Sequence, residues 1–210
     1  SSAASDVYKR QDPAGLNFED KCAASVRTLT MTVSGTGDVL LPAGVNDVVT
    51  GTDQQLLAFP VANSGQAFTG WSGAATGTDP INSVTMGSNA AVTATFAASN
   101  GPTLTLSRSG PGIGSLLPSV GLSTFVQDGL AVVQALPVNG EFFGGWQGDI
   151  ESINATAVVQ MDTNKTATAY FAKTSVNLTV ATTTGGTTDP APGTYALGEG
   201  GVVRLTATPS

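Results

Sequence analysis

Residues 68–73 read Phe-Thr-Gly-Trp-Ser-Gly and residues 143–148 read Phe-Gly-Gly-Trp-Gln-Gly. Trp71 and Trp146 are the only tryptophans in the 210-residue chain, and they stand 75 residues apart. An aromatic ring between glycines fits two readings. It is either an exposed loop built for a ligand or one structural element used twice.

The spacing extends in both directions from the tryptophans. Thr28-Leu29-Thr30 returns as Thr103-Leu104-Thr105, and the run from Met86 to Ala97 returns from Met161 to Ala172, again 75 residues on. One offset shared by the start, middle and end of a segment is the mark of an internal repeat. A third copy opens at Asn177-Leu178-Thr179 and runs through Gly185-Gly186, Asp189-Pro190 and Gly193-Thr194-Tyr195 to Pro209. Pro209 matches Pro137 and Pro60. The expected divisions are residues 28–100, 101–174 and 175–210, the last a truncated copy.

Within each copy apolar residues alternate with polar ones, as a half-buried strand requires. Leu29, Met31 and Val33 oppose Thr28, Thr30 and Thr32. Ala167, Ala169 and Phe171 share a face opposite Thr166, Thr168 and Tyr170, and Val203, Leu205 and Ala207 alternate with Arg204, Thr206 and Thr208. Ser34-Gly35-Thr36-Gly37, Ser109-Gly110-Pro111-Gly112 and Gly185-Gly186 have the composition of hairpin turns. No window has a helical period. Each copy is predicted to be an all-β, helix-poor antiparallel sheet of about five short strands. Leu56-Leu57-Ala58-Phe59 and residues 131–136 break the alternation, being apolar on both sides. One side faces the unit's own core, while the other faces either the neighbouring unit or the tryptophan loop.

Composition narrows the function. Charged residues make up 11% of the chain and there is no histidine. That excludes a Ser-His-Asp or Cys-His nucleophile and the usual zinc site. The net charge is −7; residues 1–27 sum to zero, and residues 28–210 hold four basic against eleven acidic residues. Such a surface repels phosphate backbones, so no nucleic-acid partner is expected. No apolar run approaches the ~20 residues of a membrane span, so no membrane insertion is expected. Asp149 and Glu151 are the nearest approach to a paired-carboxylate glycosidase, but the first copy has Ala74 and Thr76 at those places. Asp149, Glu151 and Asp162 are too few oxygens for calcium. Asn154, Asn164 and Asn177 each open an N-x-T triplet, a pattern frequent in a Thr-rich chain. No cofactor, no metal and no catalysis are expected.

The first eleven residues, SSAASDVYKRQ, resemble a translated sequencing-adapter read-through and stand outside the fold argument. Residues 12–27 are expected to be a polar connector, with its single Cys22 either a buried small residue or one parted from an upstream partner.

The run LTVATTTGGTTDPAPGTYALGEGGVVRLTATP of the third copy, with F-x-G-W-x-G and M-x-x-N-K-x-x-T-A-x-F of the first two, resembles the bacterial divergent InlB B-repeat domain. The resemblance covers residues 28–210. It implies a β-grasp-like fold in tandem arrays on secreted or surface-anchored bacterial proteins, hence an extracellular or cell-surface location. The first copy departs from it at Ser72-Gly73-Ala74 and at Asn89-Ala90. Gly70, Trp71, Gly73 and Phe96, with Gly145, Trp146, Gly148 and Phe171, form the structural signature. In the structural reading the indoles plug each unit's core, and in the functional reading they stack on sugars. The function expected is a non-catalytic stalk or adhesin-type array that meets cell-surface proteins or glycans through repetition. The alternative is a carbohydrate-binding accessory to a secreted polysaccharide-degrading enzyme, using the tryptophans or Tyr170 and Tyr195.

Overall fold

The computed structural model describes residues 25–210. The adapter-like segment, nearly all of the connector, and Cys22 lie outside the described residues. The first repeat consists of β1 (Val26–Ser34), β2 (Gly37–Val39), β3 (Gly44–Val49), β4 (Asp53–Pro60), β5 (Gln66–Gly73), β6 (Ile81–Thr85) and β7 (Ala90–Ala98). The second repeats the series as β8 (Thr103–Ser109), β9 (Gly114–Leu117), β10 (Gly121–Thr124), β11 (Gly129–Pro137), β12 (Phe142–Gly148), β13 (Thr156–Met161) and β14 (Lys165–Ala172). Four further strands follow: β15 (Ser175–Val180), β16 (Gly186–Asp189), β17 (Gly193–Gly198) and β18 (Thr206–Pro209). The described residues are all strand and connection, with no helix.

Each complete repeat has two sheets. One has the order β3-β1-β7-β5, and its counterpart is β10-β8-β14-β12; the other is β2-β4-β6, matched by β13-β11-β9. Seven strands in two sheets thus replace the single sheet of about five expected from the pattern. The first and last strands of each repeat, β1 with β7 and β8 with β14, pair in parallel. A parallel pair has no connecting hairpin to signal it in sequence, because the partners stand far apart along the chain.

The Gly-rich turns also do different work from the hairpins expected. Ser34–Gly37 and Ser109–Gly114 carry the chain from one sheet to the other, and Gly185-Gly186 lies between β15, which pairs with β17, and β16, which pairs with β18. The chain takes this corner directly under an aromatic ring. A Cβ on Gly37 would lie 2.2 Å from the Phe96 ring, and one on Gly114 would lie 2.2 Å from that of Phe171. Gly35 has φ +88°, and a Cβ there would sit 2.1 Å from the Phe96 carbonyl oxygen. The constant spacing of 75 conceals a pair of compensating changes. The second corner is two residues longer, so Gly37 and Pro60 correspond to Gly114 and Pro137 at a spacing of 77. The connection before Phe143 is two residues shorter, which restores 75 at the tryptophans.

The alternation reads as burial. Leu29, Met31, Leu56, Ala58, Phe68, Trp71, Met86, Val92, Ala94 and Phe96 form the core of the first repeat. The corresponding side chains, including Leu104, Leu106, Phe143, Trp146, Met161, Ala169 and Phe171, form that of the second. The third copy differs from its pattern: β18 begins only at Thr206, and Leu205 is 57% exposed. Here β18 pairs with β16 alone, whereas β4 and β11 each have strands on both sides.

The corner predicts a graded series in the first repeat, followed by urea unfolding under circular dichroism. Gly35→Ala would drive its Cβ into the Phe96 backbone carbonyl and the Gln66 side chain and should destabilise it by more than about 2 kcal/mol. Gly65→Ala also has positive φ, at +68°, but open space around it, and should cost only about 1 kcal/mol.

Candidate functional site

The glycine-flanked indoles are interior groups. Trp71 is 4% exposed and Trp146 2%. Each indole packs against the phenylalanine three residues before it on the same strand, and that phenylalanine packs in turn against one on the last strand of the repeat. Phe68 lies 5.1 Å from Trp71 and 5.5 Å from Phe96, centroid to centroid, and Phe143 lies 5.6 Å from Trp146 and 6.0 Å from Phe171. These tilted and edge-on arrangements suit the ring quadrupoles. The indole N–H donates to the Asp79 carbonyl at 2.9 Å for Trp71 and to the Ala155 carbonyl at 3.4 Å for Trp146. Sugar stacking needs an open indole face, and neither ring offers one.

The flanking glycines shape the strand that delivers the ring. Gly70 and Gly145 sit where the ladders of β5 with β7 and β12 with β14 slip register, with φ of +155° and +118°. The slip turns the tryptophan inward as a β-bulge does. Gly73 and Gly148, with φ of +93° and +103°, end those strands; a Cβ on either would strike the carbonyl oxygen of Ala91 or Thr166.

The acids and amides near this loop hold it in place. Asp149 Oδ2 accepts from the Thr166 backbone N–H at 2.7 Å, and the Asp149 N–H donates to the Thr166 carbonyl at 2.8 Å. In the first repeat Ala74 keeps the backbone half of this clasp, donating to the Ala91 carbonyl at 2.8 Å. Asn89 Oδ1 accepts from the Thr28 N–H at 3.1 Å, and Asn164 Oδ1 from the Thr103 N–H at 2.9 Å, which ties the last strand of each repeat to its first. Along the sequence this asparagine is only one member of the M-x-x-N motif. Its pairing with Thr28 and Thr103 was invisible without the parallel ladder. Lys165 bonds Asp162 at 2.7 Å, and that hydrogen bond holds the Asp162 carboxyl below its usual range. Glu151 is engaged elsewhere: its Oε2 lies 2.5 Å from Arg204 Nη1, a contact that raises the guanidinium pKa further. Asp149 and Glu151 therefore each have a structural partner. Among the described residues no group of three or more Cys, Asp or Glu side chains gathers in metal-binding fashion.

What the sequence left open is the outer face of β4, and here the two complete repeats meet. Leu57, Phe59 and Val132 are buried together, with Ile81 and Leu117 packed against them. Leu57 and Phe59 point away from the core that holds Leu56 and Ala58. The Asn63 N–H donates to the Leu122 carbonyl at 2.7 Å, and Ser99 Oγ to that of Phe125 at 3.0 Å, which adds polar ties across the junction. The second and third repeats meet differently. Backbone lies on backbone, so a Cβ on Gly201 would fall 2.0 Å from the Gly144 carbonyl oxygen. Beside that contact, Glu151 and Arg204 close one wall of a cavity of about 270 Å³.

The tryptophan geometry has a direct consequence. Trp71→Ala and Trp146→Ala should each destabilise their own repeat by about 3–5 kcal/mol in urea titrations. Acrylamide should quench the parent's indole fluorescence only weakly. Strong quenching, or variants as stable as the parent, would refute an interior role.

Comparison with known proteins agrees with the repeat read from the chain. The family model of the divergent InlB B-repeat domain matches twice, over residues 27–100 and 105–175. No curated protein and no solved structure matches. The first matched span begins within β1 and the second within β8, and each runs past the last strand of its seven-stranded repeat; the chain belongs to the divergent InlB B-repeat domain family.

Proposed function

We propose that this chain is a non-catalytic extracellular repeat module, a spacer that holds whatever flanks it at a set distance from a bacterial surface. The divisions 28–100, 101–174 and 175–210 are its repeating blocks, and the order β3-β1-β7-β5 with a parallel central pair supports the β-grasp-like reading. The observation that carries the proposal is the apolar joint of Leu57, Phe59 and Val132. A tether needs no hydrophobic cluster between its units. Residues of two blocks buried together in one cluster fix an angle, because separating them re-exposes apolar surface at about 25 cal/mol per Å². Contacts with cell-surface proteins or glycans are then made by a stiff array whose copies act together.

The test is the distance between spin labels in the two complete repeats, on a Cys22→Ser background with Ser83→Cys and Ser119→Cys. Both serines are exposed. A spacer gives one narrow distance distribution. Val132→Asp, which leaves both repeat cores untouched, should broaden it and separate the urea transitions of the two repeats. Phe59→Ala should lower the stability of the joined pair by about 3–5 kcal/mol. A broad distribution in the parent would overturn the proposal.

A further inference from the structure

We propose that the cleft between the second and third repeats is a binding site for a neutral saccharide of one or two rings. Glu151 and Asn154 come from the loop after β12, and Asp189, Tyr195 and Arg204 from the third repeat; all line one cavity of about 270 Å³. That volume falls just below the roughly 300–1,000 Å³ of drug-sized ligand clefts, which limits the occupant to a small molecule. Neither repeat holds the set alone.

These residues are additions to the shared fold. Glu151 stands where the first repeat has Thr76. The ladders place Pro209 opposite Gly186, Pro137 opposite Gly114 and Pro60 opposite Gly37. Counting back from those prolines, Arg204 occupies the position of Val132 and Gln55. Where the first joint has an apolar anchor, this one has a guanidinium paired with a carboxylate beside an open cavity.

The chemistry selects among ligands. Two carboxylates, Glu151 and Asp189, outnumber the one guanidinium, so a phosphate or sulfate is repelled. A cation would compete with Arg204 for Glu151. An apolar side chain would leave the lining polar groups unpaired, which is costly. A hydroxyl both donates and accepts, so adjacent sugar hydroxyls can use the free edges of the carboxylate, the guanidinium and the Asn154 amide together. Tyr195 supplies the remaining element. Its ring is half-buried and anchored by O–H donation to the Ala191 carbonyl at 2.6 Å, leaving an aromatic surface for the apolar face of a pyranose. The assignment is independent of the spacer reading, since the cleft exists whether or not the first joint is stiff.

The test is a ¹⁵N-correlated NMR titration of the full chain with cellobiose, xylobiose, mannobiose and diacetylchitobiose. At least one should shift Glu151, Asn154 and Tyr195 saturably. Glu151→Gln and Tyr195→Ala should each weaken that binding by about tenfold or more, while Tyr195→Phe keeps most of it and Trp71→Phe leaves it unchanged. If Tyr195→Ala disrupts residues 175–210, Glu151→Gln, an exposed position on the second repeat, carries the test. No shift at these residues with any of the four sugars would overturn the proposal. So would tighter binding at the cleft by a sulfated disaccharide or a lysine peptide. Loss of the narrow spin-label distance in the first joint would leave this result untouched.

Discussion

Each repeat is held together by one phenylalanine lying on a glycine corner. Phe96 and Phe171 belong to the last strand of a four-stranded sheet, yet their rings cover Gly37 and Gly114, where the other sheet begins. Two thin sheets from about 75 residues bury little apolar surface, since the buried fraction falls with size. Three rings per repeat therefore supply a large share of the core. The phenylalanine joins the sheets, the tryptophan closes the end beside it, and Phe68 or Phe143 fits between them. The corner must be glycine because any side chain would displace the ring. The bulge at Gly70 or Gly145 follows from the same demand, since it is what aims the indole at the phenylalanines.

This economy explains why the repeats do not stand apart. A sheet of three short strands covered on one side leaves its other side to solvent unless something else packs there. In the first repeat that side carries Leu57 and Phe59, and Phe59 is 0% exposed because the second repeat lies over it. In the second repeat the matching positions are Gln134 and Leu136, and Leu136 is 39% exposed. The outer face is thus apolar where a neighbour covers it and partly polar where none does.

Much of this was readable along the chain, for a physical reason. Alternation, glycine corners and the paired tryptophans are local or periodic signals, and they gave the repeat, the all-β class and the inward faces. The parallel pairing of β1 with β7 was not readable, because its partners lie some sixty residues apart and share no turn. The same distance hid the work of Asn89 and Asn164, whose acceptor oxygens matter only once Thr28 and Thr103 lie alongside. The run Leu56–Phe59 carried a true signal, apolarity on both faces, but two occupants fitted it equally well. The pairing of Glu151 with Arg204 gave no signal, since the two charges lie 53 residues apart and the junction alone brings them together.

One position shows how similar folds acquire different joints. Gln55 on β4, Val132 on β11 and Arg204 just before β18 are equivalents, each five residues before the matched proline of its repeat. Their side chains face outward, so the fold of each repeat tolerates any of the three, and the choice is left to whatever packs against them. Valine suits Leu57 and Phe59; arginine there would bury a charge without a partner, which costs several kcal/mol. Arginine suits the wet junction beside Glu151, where valine would leave that carboxylate without its partner. The core residues recur because each repeat must solve the same folding problem. The outer residues diverge because each joint has a different neighbour, and so the order of the repeats is written on their outer faces.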